Sequence, residues 1–200
     1  KNKLLIKGKG NFSIDEKIKK INYEIKFNDD KYNFKSNIEL NNIPLQIKIL
    51  NYIKKENKNS LLNIEGFYKK NQKFYFKNIL LKESENNFKI NGLSLNQNNK
   101  INYIEEVNLD FLNDSKKENK ILLKKNKENY KLFGKIFDGT VLLDKILESD
   151  SEGNFFNILN DFNSVVKVSL NKIFIDDTSY LKNVNGSFKF NKSNLKNLDL

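Results

Sequence analysis

Residues Gly134–Ser164 read GKIFDGTVLLDKILESDSEGNFFNILNDFNS, and they differ in rhythm from the rest of the chain. Val141, Leu142, Leu143, Ile146 and Leu147 recur at helical spacing, and Asp138 or Thr140 can cap the first turn. After the polar SDSEG, a second run of Phe155, Phe156, Ile158, Leu159 and Phe162 repeats the pattern, with Ser151 or Asn154 available as its cap. Two short amphipathic helices over 138–163 are predicted, packed against an end or edge of a sheet through Leu143, Ile146, Leu147, Phe155, Leu159 and Phe162.

Almost everything outside this stretch alternates with period two, the signature of strands with one buried face. Leu4, Ile6, Gly8, Gly10, Phe12 and Ile14 share one parity. So do Ile21, Tyr23, Ile25 and Phe27, and then Tyr32, Phe34, Ile38 and Leu40. Leu45, Ile47, Ile49 and Ile53 read as a fourth strand opened by Pro44, the only proline. Leu62, Ile64 and Tyr68, then Phe74, Phe76 and Leu80, then Phe88 and Ile90 follow. At Gly92 the phase slips so that Leu93 and Leu95 continue the stripe, as at a bulge. Ile101, Tyr103, Val107, Leu109 and Phe111 form the next strand. Ile121 and Leu123, then Tyr130, Leu132 and Ile136 or Phe137, lead to the helical pair. Val166, Val168 and Leu170, then Val184, Phe188 and Phe190, then Leu195 to Leu200 resume the strands beyond it. Asn, Asp, Lys and Gly fill the turns of this meander. The three-strand segment SLLNIEGFYKKNQKFYFKNILLKESENNFKINGLSLN, with its I-x-G positions, echoes LLIKGKGNFSI and YLKNVNGSFKFN as a weak repeat.

The expected fold is mainly β: a long, twisted, curved antiparallel sheet forming one elongated groove over residues 1–200. Meander strands occupy 1–137, the helical pair 138–163, and further strands 164–200. A dozen strands at about 4.8 Å make a sheet too long to stay flat, and two short helices cannot cover it. One apolar face is therefore expected to stay partly open. Its candidate lining is Leu62, Ile64, Phe74, Phe76, Phe88, Ile90, Tyr103, Val107, Leu109, Phe111, Phe188 and Phe190.

Composition narrows the chemistry. The 200 residues include no Cys, His, Met, Trp, Arg or Ala, and 38% are hydrophobic against 30% charged. Without His or Cys the usual general base and thiol nucleophile are missing, so no enzymatic role, cofactor or metal is expected. The carboxylate pairs Asp29–Asp30, Glu105–Glu106 and Asp176–Asp177 fall beside turns or point to opposite faces of a strand. The net charge of +11 raises nucleic acid as a partner, but the lysines are spread along every strand and no Arg is present for bidentate contacts. The Lys- and Asn-rich composition is also what AT-rich codons produce. No run of about 18 apolar residues reads as a transmembrane helix. The chain begins without Met and ends in mid-pattern, which suggests a piece of a longer protein.

Three phrases in residues 134–200 carry a resemblance. They are G-x-x-F-D-x-x-x-L-L (Gly134, Phe137, Asp138, Leu142, Leu143), V-x-V-x-L-x-x-I-x-I (Val166, Val168, Leu170, Ile173, Ile175) and L-x-N-V-x-G-x-F (Leu181, Asn183, Val184, Gly186, Phe188). Together they resemble the C-terminal region of the AsmA-like family of bacterial envelope proteins, which includes the YhdP and TamB types. The resemblance implies a non-enzymatic, bridge-like lipid carrier in the periplasm, held by an inner-membrane anchor elsewhere in the chain. It would carry phospholipid between inner and outer membrane, acyl chains in the groove, with envelope proteins as further partners. The alternatives are a closed structural or adhesive β-solenoid without ligand and a basic nucleic-acid module.

Overall fold

A computed structural model of the chain describes residues 3–14, 17–69, 74–147, 163–191 and 194–199. Twelve strands form one curved, open sheet: β1 (Lys3–Ile14), β2 (Lys17–Asn28), β3 (Lys31–Glu39), β6 (Ser60–Lys69), β7 (Phe74–Glu83), β8 (Asn86–Leu95), β9 (Ile101–Leu112), β10 (Glu118–Asn126), β11 (Asn129–Asp138), β12 (Ser164–Phe174), β13 (Tyr180–Asn191) and β14 (Asn194–Asp199). They lie side by side in chain order over about 53 Å. Two short strands, β4 (Leu45–Ile47) and β5 (Tyr52–Lys54), pair separately around a 3-10 turn at Lys48–Leu50.

Register explains why parity drifts along the sequence. In β7 a bulge opposite Glu65 and Gly66 absorbs Lys77, so Ile79 and Leu81 join Phe74 and Phe76 on the apolar face. Leu80, expected in that stripe, pairs with Asn63 and Lys89 on the other face. Gly66 fits because a Cβ there would lie 2.3 Å from the Tyr75 carbonyl oxygen. Gly92 takes φ +62°, which a side chain resists, and delivers Leu93 opposite Phe76 as the sequence suggested. Tyr103 is displaced for the same reason. It faces Ser94, itself opposite Tyr75, so it belongs to the polar face, and Ile104 stands opposite Leu93 in its place.

Neighbouring strands of the large sheet are antiparallel except β11 and β12, which run parallel. Their connection begins with α1 (Thr140–Leu147), the one α-helix among the described residues. The second predicted helix, with Phe155, Leu159 and Phe162, lies outside the described residues. Asp138 caps the start of α1: its Oδ1 accepts from the Thr140 amide and hydroxyl. Its other oxygen accepts from Asn113 Nδ2 at 2.6 Å, with Lys117 Nζ at 3.6 Å, and its own amide donates to Asn119 Oδ1. The helix is thereby tied to the β9–β10 turn.

Residues 40–59 were expected to hold a fourth strand of the sheet, but β3 pairs directly with β6. Alternation fails at Lys48–Asn51, where Asn51 turns left-handed, and the segment folds back over the apolar face instead. The Tyr52 ring lies 4.5 Å from that of Phe88 and 5.7 Å from that of Phe111. Asp114 N donates to the Asn51 carbonyl, and α1 rests against the 3-10 turn with Leu142 on the same core. Beneath them lie Leu81, Phe88, Leu109, Phe111, Ile121, Phe137 and Leu170, all buried.

This cap is sealed by buried polar groups that satisfy one another. The Tyr52 hydroxyl donates to Glu83 Oε2 at 2.7 Å, and Asn86 Nδ2 donates to the same oxygen at 2.7 Å. Lys54, 1% exposed, donates to the Ile43 carbonyl at 2.8 Å. Burial holds its ammonium below the ordinary lysine value, partly offset by Glu83. Burial and then the Glu83 carboxylate raise the Tyr52 phenol. Tyr52→Phe keeps the ring packing but strips a donor from a buried carboxylate, so it should cost about 1–3 kcal/mol. Tyr52→Ala should cost about 3–5 kcal/mol. Urea unfolding of both variants checks the order.

Candidate functional site

Cross-strand partners share a face, so the register alone draws the apolar surface in rows. The row nearest the cap runs Gly10, Ile21, Ile38, Leu62, Leu81, Phe88, Leu109, Ile121, Gly134, Leu170 and Val184, one residue from each strand of the large sheet except β14. The next row runs Gly8, Tyr23, Ser36, Ile64, Ile79, Ile90, Val107, Leu123, Leu132, Val168 and Gly186. No charged side chain interrupts either row. Two shorter rows lie farther from the cap: Ile6, Ile25, Phe34, Gly66, Phe76, Leu93 and Ile104, then Leu4, Phe27, Tyr32, Tyr68 and Phe74.

The cap divides this surface. Phe88, Leu109 and Phe111, expected to line an open groove, are buried beneath residues 40–59 and belong to a closed core. Leu62 and Phe188 pack against that core and are half-buried, and Phe190 is buried opposite Ser164. Val107 is half-buried against the same core, Ile64, Ile90 and Phe76 are half-buried beyond it, and Phe74 is 39% exposed. Exposure grows toward the β1 edge, where Leu4, Ile6, Tyr23 and Tyr32 all stand open on this face. Eleven of the twelve candidate residues thus share one surface, Tyr103 excepted. Ile79, Leu93 and Ile104 complete it; the ILL and YIEEV runs hide the parity of Ile79 and Ile104, whereas the slip at Gly92 places Leu93 in the stripe.

In the outer rows aromatic rings form a ladder across four strands. Centroids are 4.6 Å apart for Phe27–Tyr32, 6.1 Å for Tyr32–Tyr68 and 4.9 Å for Tyr68–Phe74, with Phe76 6.2 Å beyond. Each such contact adds about 0.5–1.5 kcal/mol beyond area burial, which keeps the rings ordered while one side stays exposed. The Ser36 hydroxyl is the single buried side-chain polar atom without a hydrogen-bond partner among the described residues.

The opposite face is polar and laced with ion pairs. Glu24 joins Lys7 at 2.9 Å and Lys26 at 2.8 Å; Glu65 joins Lys35 and Lys77, both at 3.1 Å. The acidic pairs noted in the sequence are each engaged locally. Asp30 meets Lys69, Tyr75 donates to Glu105, Asn91 donates to Glu106, and Asp176 Oδ1 accepts from the Thr178 and Ser179 amides. No cluster of three metal-ligating side chains forms among the described residues.

Two outcomes follow from this geometry. Ser36→Ala removes a desolvated hydroxyl and should leave stability unchanged or raise it by up to about 1 kcal/mol in urea unfolding. Hydrogen bonds from Lys26 and then Lys7 hold the Glu24 carboxyl at about 2 against an ordinary 4.5. The Ser179 and then Thr178 amides hold Asp176 at about 2 against 3.8. The unfolded chain takes up these protons first, so their stabilisation is complete above pH 4.5 and lost as pH falls toward 2. The thermal midpoint should drop through that window, and less steeply in Glu24→Gln.

No protein-family model, no curated protein and no solved structure matches the chain.

Proposed function

We propose that the uncapped apolar face holds the acyl chains of phospholipids, and that the chain is part of a bridge-like, AsmA-like carrier moving them between membranes of a cell envelope. The observation that carries this reading is the unbroken apolar track, one residue per strand, that leaves the capped core and opens toward β1. An acyl chain makes no directional demand; each methylene removed from water is worth about 0.8 kcal/mol wherever the track is continuous. Half a bilayer's hydrocarbon thickness, about 15 Å, spans roughly three strand spacings. The outer rows offer that span of aromatic and aliphatic surface, from Leu4 through Tyr32 to Phe74. The polar face, with its Lys–Glu pairs, keeps the other side of the same sheet in water. The periplasm, an inner-membrane anchor and transfer toward the outer membrane belong to this proposal through the family resemblance.

Phe76→Asp places a charge in the middle of the outer track, beside Phe34 at 5.8 Å and Phe74. Asn37→Asp puts the same charge on the polar face of β3, at an exposed position. Mass spectrometry of purified protein should find phospholipid on the unaltered chain and on Asn37→Asp, and little on Phe76→Asp. Phe76 is only half-buried, so this variant should remain folded, losing about 1–2 kcal/mol. Global unfolding of Phe76→Asp would favour a closed structural core, and lipid-free unaltered protein would remove the reading altogether.

A further inference from the structure

The polar face changes character beyond β10. From β1 to β10 the polar face carries carboxylates that pair with several of its lysines, the last such pairs being Lys120 with Asp110 at 2.6 Å and Lys124 with Glu106 at 3.9 Å. Strands β11, β12 and β13 contain one acidic residue, Asp138, which is buried and bonded to Asn113. The register sets Lys124, Lys131 and Lys167 directly opposite one another on three consecutive strands. Lys189, opposite Val165, lies one step along the same face, and Lys135 follows on β11. All five are exposed, and Lys131, Lys135, Lys167 and Lys189 have no ion pair among the described residues. Lys172 and Lys182 form a second directly opposed pair nearer the cap, over the Tyr180 ring. Glu106 and Asp199, the latter opposite Ser187, bound the patch on either side.

Like charges directly opposite one another destabilise a sheet. Three ammonium groups across two strand spacings, about 10 Å, also lie within roughly one Debye length and reinforce each other's potential. Set into this field is an apolar spot: Leu122 pairs with Phe133, whose ring is 39% exposed. Base stacking calls for several aromatic rings along a channel, and the Lys124–Lys131–Lys167 row holds one, Phe133, with Tyr180 and Phe174 set apart beside Lys172 and Lys182. Lysine ammonium groups around a single exposed aromatic suit a plane of anionic headgroups, with the ring seated at the interface.

We infer that the polar face of β11–β13 docks on membranes through anionic phospholipid headgroups, independently of what the apolar face holds. The test uses the whole chain and sedimentation with vesicles of phosphatidylcholine, with or without a minority of phosphatidylglycerol. The protein should bind only the anionic vesicles, and less as salt rises. The double variant Lys131→Gln/Lys167→Gln should bind about thirtyfold more weakly. Lys9→Gln/Lys20→Gln removes the same charge from the polar face of β1 and β2 and should bind nearly as well as the unaltered chain. Circular dichroism should show both variants folded, and the patch variant should melt no lower because repulsion is relieved. Equal losses in the two variants would reduce the effect to net charge and overturn the inference. So would failure to bind anionic vesicles, or binding of duplex DNA that depends on Lys131 and Lys167 while vesicle binding does not.

Discussion

A sheet of twelve strands needs a second layer for its apolar face, and the described part of this chain supplies only a partial one. That imbalance between apolar surface and cover governs the rest of the structure. Residues 40–59 leave the strand order to lie across the face, and α1 meets them from the far side. Their cost is the burial of polar backbone and side chains. It is offset by the Tyr52–Glu83–Asn86 and Lys54–Ile43 hydrogen bonds, which leave the cap without stranded donors. Beyond the cap the surface is held in shape by the sheet's own ladder and by ring-to-ring contacts, so it can remain open without losing order.

The two faces thereby separate two kinds of chemistry. On one, direction hardly matters, and a long apolar molecule gains wherever contact is continuous. On the other, charge position matters a great deal. On the eight strands of the large sheet up to β10, glutamate and aspartate pair with several of the lysines, and the three strands that follow concentrate positive charge. A lysine-rich composition supplies many ammonium groups, but it does not choose where carboxylates are omitted. The register does that, by setting Lys124, Lys131 and Lys167 in one row.

Bulges decide which side chains reach which face. Lys77, Gly92 and Glu105 stand at corresponding places on β7, β8 and β9, and beyond them the parity of all three strands is reset together. Of the three, Gly92 announced itself, because a glycine inside an alternating strand has few other uses. Lys77 and Glu105 look like ordinary polar residues in sequence, so alternation alone places Leu80 and Tyr103 on the wrong face.

The sequence by itself determined the β class, the apolar and polar alternation, the helix beginning near Thr140 and the membership of most of the apolar surface. These depend on local periodicity and capping, which a linear chain displays. Tertiary structure decided that Leu45–Ile53 leaves the sheet, that β12 runs parallel to β11, and that Phe88, Leu109 and Phe111 are sealed while Phe74 and Tyr32 stay exposed. Whether an apolar residue is core or open surface depends on what else comes to lie over it. Alternation is the same in both cases, and only the path of residues 40–59 and α1 across the face tells them apart.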